Sequence, residues 1–185
     1  MLIIGITGTL GAGKGTIVDY LQSHYGFAHY SVRGFLTEVI NERGLPLDRD
    51  SMVAVANELR EKHGASYIVE QLYMQAAASG KDAVIESIRT VGEVNALRNK
   101  PNFYLFAVDA NSVMRYERVV LRNSETDKVS YETFLANEAR EMNSTDHSKQ
   151  NLAACKQAAD FLFDNNGSFE DLFHQIEKVI HGVRK

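Results

Sequence analysis

The chain is poor in the residues that would mark it for an exported, fibrous or membrane-bound role. It has one cysteine, Cys155. That excludes an internal disulfide and a cysteine-rich zinc site, and it points to a reducing compartment such as the cytosol. Two prolines and 13 glycines in 185 residues exclude a collagen-like or proline-rich protein. The longest unbroken apolar run, Phe103 to Val108, is far below the ~18 residues of a membrane span. The opening residues lack the basic flank and long apolar stretch of a secretion signal. Net charge is only −4 and the isoelectric point about 5.9. A surface of this kind has no general pull on nucleic acid, so any phosphate binding must come from a local site. No repeat, low-complexity block or linker divides the sequence.

The remaining composition is that of an ordinary globular chain, 44% hydrophobic and 24% charged. Short apolar runs alternate with helical periodicity. Leu2–Thr7, Phe27–Tyr30, Ala83–Glu86, Asn102–Asp109 and Asp160–Phe163 are predicted strands. Helices are predicted at Lys14–Tyr25, 33–43, about 48–62, 66–78, 91–99, about 111–122, 130–142, 149–159 and after Ser168. Apolar strands separated by helices imply a three-layer α/β fold, a five-stranded parallel sheet covered on both faces. Ligands of such sheets bind at the carboxyl ends of the strands.

One motif stands at such an end. Gly8-Thr9-Leu10-Gly11-Ala12-Gly13-Lys14-Gly15-Thr16 follows the first strand and opens the first helix, the setting of a P-loop. Glycines let backbone N–H groups converge on an anion, and the helix N-terminus adds to the field. Lys14 would reach the β- and γ-phosphates of ATP, and Thr16 would bind a phosphate oxygen or help hold Mg²⁺. Gly8, Leu10, Gly11, Ala12, Gly13 and Gly15 complete the nucleotide loop. A dinucleotide-binding turn fails here, because no Gly-x-Gly-x-x-Gly register exists and no acidic residue ends the second strand.

The acceptor side is read from charges. Glu86, at the third strand's end, can order the water around Mg²⁺. Arg89 can clamp a phosphate. Arg115, Arg118 and Arg122 recur at i, i+3 and i+7 before a polar stretch, 123–130, and Arg140 follows it. Fixed positive charge is what phosphoryl transfer needs, since little covalent chemistry falls to the protein. Alternatively, Arg115, Arg118, Arg122 and Arg140 serve helix-end dipole compensation and salt bridges to Glu117, Glu125 or Glu138. The six scattered histidines show no metal-ligand spacing.

Gly13-Lys14-Gly15-Thr16, Glu86-x-x-Arg89, Arg118-x-x-x-Arg122 and Arg140 together resemble the adenylate kinase and nucleoside monophosphate kinase family, and the late strand and turn Phe161-Leu162-Phe163-Asp164-Asn165-Asn166-Gly167-Ser168 resembles the adenine-side loop of small P-loop kinases. The resemblance implies one P-loop kinase domain over 1–185, an acceptor-binding helical segment at about 33–78 and a short lid at about 123–130. It implies that Lys14 binds phosphates and Arg89 holds an acceptor monophosphate. It sets Arg118 over the donor base and Arg122 and Arg140 around the transfer site. Two positions depart from the family. Thr37 stands where its members carry an arginine, with Arg33 one turn earlier as the substitute. Glu93 stands where they carry a base-reading glutamine. The expected activity is ATP-dependent transfer to a small-molecule acceptor, a nucleoside or deoxynucleoside monophosphate. Alternatives are transfer to a ribose hydroxyl, as in dephospho-CoA kinases, and a non-kinase module switched by bound nucleotide.

Overall fold

The computed structural model describes residues 1–122, 129–145 and 149–184, apart from the side chain of Arg49. Strands β1 (Ile3–Gly8), β2 (Ala28–Ser31), β3 (Ala83–Glu86), β4 (Phe103–Asp109) and β5 (Phe161–Asp164) form one parallel sheet in the order β2-β3-β1-β4-β5. Helices α1 (Lys14–Tyr25), α2 (Val32–Glu42), α3 (Arg49–His63), α4 (Tyr67–Ser79) and α5 (Val91–Arg98) follow the first three strands. Then come α6 (Ser112–Arg122), α7 (Tyr131–Met142), α8 (Leu152–Gln157) and α9 (Phe169–Val183).

The period of two in the strands sorts side chains into two cores. Ile3, Ile85, Phe103 and Leu105 face α2–α5 and α8 on one side. Ile4, Ile6, Val84, Phe106 and Val108 face α1 and α9 on the other. Each fully buried large side chain contributes ~1.5–3 kcal/mol of transfer free energy. Gly5 leaves room on the first of these faces, where a Cβ would lie 2.4 Å from Ile88 Cδ1 and 2.8 Å from the Phe103 ring.

Caps fix the helix starts. Ser31, Asp48, Thr90, Ser130 and Ser168 each accept a backbone N–H of the first turn, and Thr90 and Ser168 form full capping boxes with Glu93 and Asp171. Asn151 caps α8, so this helix spans only Leu152–Gln157 within the longer predicted stretch. The predicted helical segment 33–78 divides by role. Ile68, Val69, Leu72 and Ala76 of α4 belong wholly to the core, while α2 and α3 give the core Ile40, Val55 and Leu59 and also turn Val32, Leu36, Met52 and Val53 to the cavity. The expected lid at 123–130 lies outside the described residues except for Val129 and Ser130.

Register aligns the strand ends. Ile6 and Ser31 both pair with Glu86, Gly8 pairs with Val108, and Asp109 pairs with Asp164. The loop after β1 and the residues Ser31, Glu86, Asp109 and Asp164 therefore share one edge, where an open α/β sheet binds ligands.

Candidate functional site

The loop after β1 is built so that backbone amides stay available. Gly11 and Gly13 adopt φ of +77° and +108°. A Cβ on Gly11 would meet Arg115 O at 2.4 Å, and one on Gly13 would meet Asn165 Nδ2 at 2.1 Å. Gly13 occupies the N-cap of α1 without a side-chain cap, which leaves the helix's first N–H groups for an anion. The loop is pinned from outside. Asn165, buried at the end of β5, donates to Ala12 O at 2.8 Å, and Arg118 donates to Asn165 O at 2.8 Å. Arg115 donates to Ala110 O and to both carboxylate oxygens of Glu138. Asp109, unnoticed in the sequence, accepts from Thr9 and Lys156.

Lys14 folds back over this loop and donates to Gly8 O at 2.9 Å and Thr9 O at 3.0 Å. Burial, then the nearby Arg89 charge, push its ammonium pKa down to about 8. For Glu86, burial opposes ionisation. His29 Nε2 at 3.1 Å and the Lys14 and Arg89 charges outweigh it and hold the carboxyl below its usual range. Ser87, next along, adopts φ of +72°, a strained conformation for a residue with a side chain.

A cavity of about 320 Å³ opens beside the loop. Leu10, Lys14, Glu86, Ser87 and Arg89 line its floor, and Arg33 and Arg122 reach it from α2 and α6. Its far wall is largely apolar, with Val32, Leu36, Leu47, Met52, Val53 and Ala56, interrupted by Asp48, Asn57 and Arg60. Val53 is 46% exposed and serves this wall. Arg89 is steered by Glu141 and Gln150, each 3.1 Å from Nη1.

The predicted residues thus separate. Lys14, Glu86, Arg33, Arg89 and Arg122 converge on the cavity, with Leu10 beside them. Gly8, Gly11, Ala12, Gly13, Gly15 and Thr16 form the loop and first turn of α1. Arg118 lies on the loop's other side, against Asn165, with Nη1 buried and without a partner among the described residues. Arg140 does not reach the cavity. It is exposed and donates to Asn137. Phe134, Glu138 and Glu141 occupy the inward stripe of α7 at i, i+4 and i+7, and Arg140 falls off it. Glu93 also does not line the cavity. It is fully buried as the capping-box residue of α5 and pairs with Arg60 at 2.9 Å. Glu141 and Gln150 are cavity residues that the sequence alone left unmarked; Arg60 belongs to a charged stretch, 58–62, that reads from sequence as a solvated helix face, yet its side chain is buried at the cavity because it pairs with Glu93.

The donor set suits Mg²⁺ accompanying a polyphosphate. The described residues hold no cluster of three or more His, Cys, Asp or Glu that would cage an ion. The Thr16 hydroxyl and, through water, an ionised Glu86 would hold such an ion, with phosphates and water filling the rest of its shell. No helix among the described residues is long and apolar enough to cross a membrane. Cys155 is buried and its thiol is pushed up to about 12, chiefly by burial, so it has no nucleophilic character.

Comparison with known proteins agrees with this geometry. A family model described as an AAA domain matches residues 4–146. The UPF0200 protein MJ1399 of Methanocaldococcus jannaschii is 30% identical, over 99% of this chain and 91% of its own length. Among solved structures, a shikimate kinase from Acinetobacter baumannii superposes with a TM-score of 0.61 at 14% identity, covering 98% of this chain and 94% of its own. A dephospho-CoA kinase from Campylobacter jejuni gives 0.56 at 16%, covering 98% and 96%. The fold is that of the P-loop kinases, and the chain belongs to the AAA domain family and, with its methanogen relative, to the UPF0200 proteins.

Proposed function

We propose that this protein transfers the γ-phosphoryl group of ATP to a small phosphorylated acceptor, a nucleoside or deoxynucleoside monophosphate. One observation carries the reading: a single cavity joins Lys14 of the phosphate loop to Arg33, Arg89 and Arg122, which arrive from three different elements. With Arg60 the cavity gathers five cations against three carboxylates, Asp48, Glu86 and Glu141, an excess of positive charge that favours an anion in the void. The apolar wall opposite suits the flat body of a base.

In this mechanism the loop amides and Lys14 hold the donor's phosphates, while Arg118 and Asn165 border the donor's base side. Arg33 and Arg89 grip the acceptor phosphate, and Glu141 and Gln150 keep the Arg89 fork oriented. An oxygen of the acceptor phosphate attacks the γ-phosphorus in line. The bond to the β–γ bridging oxygen breaks, and its electron pair leaves with ADP. Lys14 and Arg122 meet the charge that spreads over the moving group. A phosphate monoester is largely a dianion at neutral pH, so the protein need not remove a proton. Bound Mg²⁺, held through Glu86 and Thr16, would supply further neutralisation of phosphate charge.

A hydroxyl acceptor is the second reading. Glu86 favours it, because an ionised carboxylate on the cavity floor can accept a hydroxyl proton, and the structural neighbours named above include a shikimate kinase and a dephospho-CoA kinase. A panel of acceptors with γ-labelled ATP separates the readings. Label on a nucleoside diphosphate is the expected result. Label on dephospho-CoA or another hydroxyl acceptor alone selects the second. Slow hydrolysis indifferent to every acceptor rejects both and favours a nucleotide-controlled switch.

A further inference from the structure

The mechanism above leaves one ion pair on the cavity unused. Glu93 is closed to any ligand. Its Oε1 accepts from Arg60 Nη2 at 2.9 Å, and its Oε2 accepts the backbone N–H groups of Arg89 and Thr90 at 2.9 and 3.1 Å. Arg60 is different. Its side chain is only 9% exposed, its Nε has no partner among the described residues, and yet it lines the cavity. Glu93 therefore acts as the anchor, and Arg60 is the group presented to a ligand. A guanidinium carries five donors and no acceptor, so one carboxylate contact leaves donors to spare.

The position of Arg60 says which end of a ligand it meets. Arg89 and Arg122 lie close enough to Lys14 for their charges to bear on it, and these three define the phosphate end. Arg60 instead projects from α3 on the stripe of Val53, Ala56 and Asn57, seven, four and three residues earlier, all of them cavity wall. Arg60 thus stands where the apolar wall meets the Arg89 backbone, to which Glu93 joins it, so a base lying on that wall would meet its guanidinium.

We propose that Arg60, anchored by Glu93, reads the acceptor's base and selects an oxo-bearing edge, that of guanine or hypoxanthine, over the amino-bearing edge of adenine. The inference rests on the monophosphate-acceptor reading and deepens it. A guanidinium pairs in two-pronged fashion with O6 and N7 of guanine. Adenine sets an N6 amino group beside N7, so donor faces donor. The same argument ranks uracil, with O4, above cytosine, with its N4 amino group. Any acceptor-only group could satisfy Arg60, a second phosphate included, and the test must tell the two apart.

The experiment is calorimetric titration of the full chain, without ATP, using GMP, IMP, AMP, UMP, CMP, ribose 5-phosphate and fructose 1,6-bisphosphate. The wild type is expected to bind GMP and IMP about 5- to 100-fold more tightly than AMP. Arg60→Lys keeps a cation for Glu93 but loses the fork. It is expected to collapse that ratio towards one while leaving ribose 5-phosphate affinity unchanged. Should this variant fail to fold, the wild-type ranking decides by itself. AMP binding as tightly as GMP overturns the proposal. So does fructose 1,6-bisphosphate binding more tightly than GMP, or an Arg60→Lys variant weakened equally for every ligand. An intact GMP preference without phosphoryl transfer from ATP would count against the kinase reading and leave base selection standing; no binding of any nucleotide overturns both.

Discussion

The two sides of the cavity are made in opposite ways. The phosphate loop is backbone held in place by backbone and by buried side chains: Gly11 against the carbonyl of Arg115, Gly13 against Asn165, and Ala12 O bonded to Asn165. The opposite wall is made of side chains from α2 and α3, with Leu47 and Val53 about half exposed and Arg33 open to solvent. One side is preorganised backbone that can receive an anion such as the phosphates of a nucleotide. The other has few fixed backbone groups and depends on what its side chains can present. Preorganisation lowers the cost of binding, so on the proposed reading the loop would generate rate and the α2–α3 wall would distinguish substrates.

The sharpest way to break this contrast is at Lys14. Lys14→Ala should lower the transfer rate by at least about 10²-fold, as loss of a preorganised cation does. Thermal melting should be unchanged or raised, because a buried charge has been removed. A variant with near-normal turnover would sink the division of labour. On the acceptor side, Arg89→Ala should raise the acceptor KM about 10- to 100-fold, from the ~1.5–3 kcal/mol of a charged hydrogen bond. The KM for ATP should move little. Equal loss on both substrates would mean that Arg89 serves the whole site.

The same contrast governs what could be read from the chain. The phosphate loop and its flanking elements are local in sequence: an apolar strand, a run of glycines, a lysine and an amphipathic helix within Leu2–Tyr25, so α1 begins and ends where its periodicity and Gly26 require. The sheet follows from alternation of apolar runs and helices, for the same reason. The acceptor wall is tertiary. Arg60 and Glu93 are 33 residues apart, Arg89 and Gln150 are 61 apart, and nothing in either neighbourhood advertises the meeting. Arg140 shows how narrow the margin is. The helix was legible, but its inward stripe depends on Phe134 finding the core and Glu138 finding Arg115, and that rotation sends Glu141 rather than Arg140 to the cavity.

A smaller effect follows from the depressed pKa of Lys14, about 8 against an ordinary 10.5. In the empty protein Lys14 is charged below about pH 8 and loses its proton above it, so ATP affinity should be flat to about pH 7.5 and then weaken, by at most about tenfold per pH unit. Stability moves the other way. Between about 8 and 10.5 the unfolded chain holds the proton that the folded chain has released, so this group raises stability as pH rises through that window. Lys14→Met should flatten both profiles. A pH profile unchanged in that variant would assign the dependence to another group.

The gentlest test uses two glycines two residues apart. Gly13→Ala forces a Cβ against Asn165 Nδ2 at a φ that side chains resist, and should destabilise by about 1–3 kcal/mol. Gly15 stands in the first turn of α1 with nothing within 4 Å of its would-be Cβ. Gly15→Ala should therefore stabilise the nucleotide-free protein by about 0.5–1 kcal/mol, since alanine loses less backbone freedom in a helix. For a chain of this size that is a rise of roughly 1–4 °C in Tm. The two variants carry the same added methyl, so only the surroundings differ. Equal changes in Tm would show that the loop is not clamped from β5 and α6, and the rigidity assigned to it would have to come from the bound nucleotide instead.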